Sequence, residues 1–136
     1  MNESIKQKSI VDMAELAEQL EEAAKTMTDV GSYEHVFKEP WENGVKVYDS
    51  LHFDWTKLTG GDSLAIEAEL RLRGITLIAP AFTGDFLAGM AARACLERMD
   101  EDGTIVIRTV DIKDLPMPDF LAITSQARNY LLHEGF

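Results

Sequence analysis

Two runs of alternating apolar and polar residues, YEHVFKEPW and VKVYDSLHF, flank Glu42-Asn43-Gly44. Period-two alternation sends side chains to opposite faces of a strand, and an Asn-Gly pair accepts the positive φ angles of a tight turn. The pattern predicts an antiparallel β-hairpin with strands near 33–39 and 45–53. A lone hairpin is marginal in water, so this one must lie against helices or find another strand. Pro40 cannot donate to a ladder, which assigns it to a strand end or an edge. The hairpin region also gathers Phe37, Trp41, Tyr48, Phe53 and Trp55 in a chain that is only 8% aromatic. These rings are expected to pack the sheet on helices, and any exposed subset would mark a binding surface.

The rest of the chain has to supply those helices. Ser9 and Asp12 have the spacing of an N-cap and its N3 acid, which starts a long helix over 9–27. Its apolar residues Ile10, Met13, Ala17, Leu20, Ala24 and Met27 follow heptad steps, with Glu15, Glu18, Glu21 and Glu22 on the other faces. Fewer than three heptads favours packing on its own domain, with self-association through this helix as the alternative. Two regions follow: an acidic amphipathic helix in 1–30 and a compact α+β core in 31–136.

Within that core, Asp62 reads as the N-cap of a helix running to about 73, with Gly74 as its stop. Leu64, Ile66, Leu70 and Leu72 also alternate, so a strand through ELRLRGITLI competes; the strong helix formers Ala, Leu, Glu and Arg favour the helix. Residues 83–85 can cap a third helix, FLAGMAARACLERM, whose small residues allow a close neighbour. The β-branched run TIVIRTV predicts a further strand near 104–110. LPMPDF opens a final helix with Phe120, Ile123, Ala127, Tyr130 and Leu131 on one face. The expected class is α+β, mostly helical.

Composition removes several kinds of function. At 136 residues and 46% hydrophobic, the chain can bury a core without disulfides or metals. Its 24 acidic residues against 13 basic ones leave a formal charge of −11, which disfavours nucleic acid as a partner. Cys95 is alone, no run approaches a membrane span, and MNESIKQKSI lacks the apolar core of a signal peptide, so an intracellular, reducing setting is expected. Gly60-Gly61-Asp62 lacks the lysine and hydroxyl residue of a phosphate loop. Asp100 to Gly103 resembles the middle of a calcium loop, but Arg98 and Thr109 would then stand at its two carboxylate positions. His35, His52 and His133 fall on separate elements, and no serine sits in a nucleophile elbow. These readings point to no catalytic residue, cofactor or metal site.

The order of the pieces is more specific than any one of them. GVKVYDSLHFDW, then KLTGGD opening the helix LAIEAEL, then AARAC, then DIKDLPMPDFLAITSQARNYLL, resembles the phage tail assembly chaperones over roughly 33–132. The likeness is nearest the tail assembly group of Mu-like and P2-like phages and prophages. Leu58, Thr59, Gly60 and Asp62 match that group's turn before a helix, and Leu115, Pro116, Asp119 and Phe120 match the opening of its last helix. The helix at 9–27 and the strand-like EDGTIVIRT depart from the pattern.

The resemblance implies a non-enzymatic protein of the host cytoplasm. It would bind the long helical tape measure protein and keep it soluble until tube subunits polymerise around it. It also implies that Gly60-Gly61-Asp62 is a structural joint, with Thr59 and Asp62 as caps. Met13, Leu20, Met27, Phe120 and Tyr130 are the expected partner-binding residues, on apolar stripes of the first and last helices. The alternative is an acidic mimic of nucleic acid that blocks a basic host protein, which would need its carboxylates aligned on one surface.

Overall fold

The computed structural model describes residues 30–134; the helix expected over 9–27, with Met13, Leu20 and Met27, lies outside them. Strands β1, Ser32–Glu42, and β2, Val47–Asp54, form a two-stranded antiparallel sheet. Tyr33 pairs with Phe53 and His35 with Leu51, the register then shifts, and Trp41 faces Tyr48. Pro40 lies inside that irregular stretch of β1, an edge strand as both strands of a two-stranded sheet must be, where its missing N–H breaks no regular ladder. In the connection only Gly44 takes positive φ, +89°. Asn43 contributes differently: its Oδ1 accepts from the N–H groups of Val45 and Lys46, both at 3.1 Å, as in an Asx turn.

The inner face of the hairpin carries one continuous run of rings. Trp55 stacks on Phe53 at 5.3 Å, Phe53 on Tyr33 at 6.2 Å, and His35, Phe37, Trp41 and Tyr48 continue the series. All but Tyr33 and Trp41 are buried, and those two pack partly buried against the same core. The aromatic hairpin residues are therefore core.

Four helices follow: α1, Gly60–Leu72; α2, Gly84–Ala94; α3, Thr109–Lys113; and α4, Met117–His133, of which α2 and α4 pack on the hairpin and α1 and α3 pack on α2. Among the described residues the fold is thus mixed α and β, four helices with one hairpin, and no helix is long and apolar enough to cross a membrane. Helix α2 lies at the centre, touching α1, α3, α4 and β2, and most of its residues are buried. Its small residues make that position tenable. Gly89 faces Ile66 of α1 so closely that a methyl group there would stand 2.9 Å from Ile66 Cγ2 and 3.2 Å from Cγ1.

Two expected elements differ. Helix α2 ends at Ala94, before the CLERM segment: Cys95 is extended and bridges Phe53, and the Leu96 N–H donates to the His52 carbonyl at 2.8 Å. An open strand edge thus outbids further helical turns. The strand expected over 104–110 does not form. Met99 and Ile105 make one isolated bridge across the turn at Gly103, and Thr109 already begins α3, whose N3 residue Asp111 accepts from the Arg108 N–H at 2.7 Å.

Replacing Gly89 by alanine should destabilise the fold by about 1–3 kcal/mol in urea titrations, because Ile66 is enclosed and cannot swing away. Combined with Ile66→Ala, which deletes the clashing carbons, the loss should fall well short of the sum of the two single losses.

Candidate functional site

The Leu58-Thr59-Gly60-Gly61-Asp62 stretch meets the C-terminal part of α4 at a cleft of about 240 Å³. Its walls are largely apolar, from Leu58, Ile66, Phe86, Met90 and Leu131, with Pro80 on one side. Thr59, Asp62, Ser63 and Tyr130 add polar groups.

Local chemistry explains the shape of this corner. Thr59, not Asp62, is the N-cap of α1, and Asp62 occupies N3 of a reciprocal capping box. The Asp62 N–H donates to Thr59 Oγ1 at 3.3 Å, and the Thr59 N–H donates to Asp62 Oδ2 at 2.8 Å. The other carboxylate oxygen, Oδ1, accepts from Arg93 Nε of α2 at 2.7 Å. Asp62 is therefore held below its ordinary carboxyl range, first by the Thr59 backbone bond and then, against the opposing effect of burial, by Arg93. A carboxylate engaged on both oxygens works as a joint. Gly60 and Gly61 have neither positive φ nor a crowding neighbour that excludes a methyl group. At Gly60 a side chain would enter open space on the cleft wall.

The second motif builds a different corner. Leu115 is buried after α3, Pro116 caps α4, and Asp119 reaches β1. Asp119 Oδ1 lies 2.7 Å from His35 Nε2, and His35 Nδ1 lies 2.8 Å from the Tyr33 hydroxyl. A carboxylate only accepts, so Nε2 donates to Asp119 and Nδ1 accepts the hydrogen bond that the Tyr33 hydroxyl donates. Burial, and next the charge of Asp119, push the Tyr33 hydroxyl above its usual value. With both ring nitrogens engaged and the ring edge-on to Phe37 at 4.9 Å, His35 is a strut between sheet and helix.

Phe120 and Tyr130, expected on one stripe, border separate concavities. Phe120 sits with Lys113, Leu115 and Met117, whereas Tyr130 lines the cleft beside Leu58. Ten residues of helix separate them by about 15 Å. Between them Ile123 and Ala127 are committed to the core. Cys95 is enclosed too, and burial pushes its thiol up to about 12, far from thiolate chemistry at neutral pH. Among the described residues no three His, Cys, Asp or Glu side chains are placed to hold a metal ion.

Sequence reasoning named the Leu58–Asp62 corner and Tyr130 but not Pro80, Phe86 and Met90, which complete the cleft. Met90 and Pro80 carried no signal beyond apolarity, since only packing of α2 brings them to the turn. No family model, curated protein or solved structure matches the chain.

A depressed carboxyl stabilises the fold above its ordinary value, here 3.8, and that stabilisation is lost as pH falls through the lower folded value. Asp62→Asn should therefore cost about 1–3 kcal/mol at neutral pH, where a charged hydrogen-bond acceptor is removed. In urea titrations run from pH 7 to pH 2.5, the gap between wild type and variant should close below about pH 4.

Proposed function

We propose that this chain is a non-enzymatic assembly chaperone that holds an apolar helical segment of a phage tape measure protein in the host cytoplasm. The observation that carries the reading is the apolar cleft formed where the chaperone-like Leu58–Asp62 corner meets the last helix. A helical client is recognised through a few apolar anchors laid into a groove, and a concavity lined by Leu58, Ile66, Phe86 and Met90 suits one such anchor. The neighbouring loop adds area: Ile78 is 91% exposed and Phe82 70% exposed, on either side of the lining residue Pro80. The net charge of −11 suits a holdase, since loaded complexes of like charge repel one another before they can aggregate.

In this scheme Tyr130 borders the client anchor directly and Phe120 belongs to a second contact at the other end of α4. The stripe of Met13, Leu20 and Met27 supplies further contact or self-association.

Co-expression with a tagged tape measure protein tests the reading. Wild type should keep the client soluble and co-elute with it. Gly60→Trp should reduce co-elution at least about tenfold, the loss expected when one buried anchor is displaced, with the far-ultraviolet circular dichroism spectrum unchanged. Leu20→Asp with Met27→Asp should weaken it further. An insoluble client beside well-folded wild type would reject the chaperone assignment. Full co-elution with Gly60→Trp would reject the cleft as the site.

A further inference from the structure

Six of the 136 residues are arginines, and four of them, Arg73, Arg93, Arg98 and Arg108, line a single concavity of about 300 Å³. They come from three places: Arg73 caps the C-terminal end of α1, Arg93 sits in the last turn of α2, and Arg98 and Arg108 bracket the turn that leads into α3. Random placement on an acidic protein would scatter them among the carboxylates. Among the described residues only Arg93 of the four has an ion pair, through Nε to Asp62, and no described carboxylate lies within ion-pair distance of Arg73, Arg98 or Arg108. The one acid on the lining, Glu69, stands four residues before Arg73 on α1 without closing the pair.

We infer that this concavity binds a small oxyanion with two or more negative charges, a phosphate ester or a polycarboxylate. Guanidinium groups grip such oxygens in pairs, and several converging on one concavity surround a ligand that a single lysine would hold only as a point charge. Ala92, Ile105, Ile107, Thr109 and Val110 complete the lining, and its buried apolar members, Ala92 and Ile107, strengthen the charged contacts by lowering the local dielectric. The volume is at the small-molecule end of binding sites, and the acidic remainder of the surface repels an extended polyanion such as nucleic acid. Without a bound anion, Arg73, Arg98 and Arg108 share one concavity with Glu69 as the one acid on its lining, an excess of like charge that opposes folding. An oxyanion removes that repulsion. This site adjoins the proposed client cleft through the Asp62–Arg93 pair, but the inference does not depend on that reading.

Calorimetric titration and thermal melts of the full chain with pyrophosphate, citrate and orthophosphate, at ionic strength held constant with sodium chloride, provide the test. Pyrophosphate or citrate should bind saturably and raise the melting temperature, with orthophosphate weaker. Arg98→Gln with Arg108→Gln should weaken binding at least about tenfold, because each loses a charged hydrogen-bond donor pair. Arg73→Gln, at an exposed helix end, gives the same reading should the double variant fold poorly. Pyrophosphate ahead of citrate assigns phosphate esters, and the reverse order assigns polycarboxylates. A shift that sodium chloride reproduces, or saturable binding that survives both sets of substitutions, overturns the inference.

Discussion

A two-stranded hairpin leaves one entire face to be covered, and this requirement organises the molecule. Seven rings from Trp55 to Tyr48 line that face, so what covers it must be apolar and must approach closely. Helix α2 meets both conditions. Its interior is written almost wholly in Ala, Gly, Leu, Met and Phe, and Gly89 lets α1 settle against it at a distance no side chain would allow. Helix α1 could not take the central place, since only Ile66 and Leu70 of its thirteen residues are buried.

Apolar contact sets what is buried but leaves orientation loose, and a few polar bonds over long sequence separations supply it. Asp119 ties α4 to β1 through His35, Asn43 donates to the Val106 carbonyl at 2.9 Å, and Asp62 ties α1 to α2 through Arg93. At the hairpin tip Lys46 adds an ion pair with Asp100 at 2.7 Å, more than half exposed on the lysine side and therefore worth little beside the buried His35 bond. Each tie joins elements whose order along the chain does not bring them together.

That division also separates what could be read in the sequence from what could not. The hairpin was legible because alternation and Asn-Gly are local, although Asn43 serves through its side chain and leaves positive φ to Gly44. The joint at Thr59 and Asp62 was legible because a capping box needs only a three-residue spacing, and Gly74 ends α1 with φ +73° as its position suggests. The end of α2 was not, since Cys95 leaves the helix for a bridge to Phe53, a partner on another element. Thr109 and Val110, the end of the strand expected over 104–110, instead begin a helix because Asp111 caps it and Ile112 has a place in the core. The arginine cluster had no sequence signature at all: its members are spread from 73 to 108, and only the packing of α1, α2 and the turn after Gly103 collects them.

The ion pair between Asp62 and Arg93 stands on the border of both concavities, Asp62 on the wall of the apolar cleft and Arg93 on the wall of the arginine site. It does not follow that filling one site empties the other. Asp62 uses Oδ2 for the capping box and Oδ1 for Arg93, so the box survives if the guanidinium turns to another anion. Arg93 also engages Asp62 through Nε, and its two terminal nitrogens are geometrically separate from that bond. Coupling between two sites requires an element with two arrangements that both ligands bias, and a carboxylate held by the backbone of its own helix cap has only one. The two concavities therefore share a wall whose capping box offers no second arrangement through which ligands in them would be coupled.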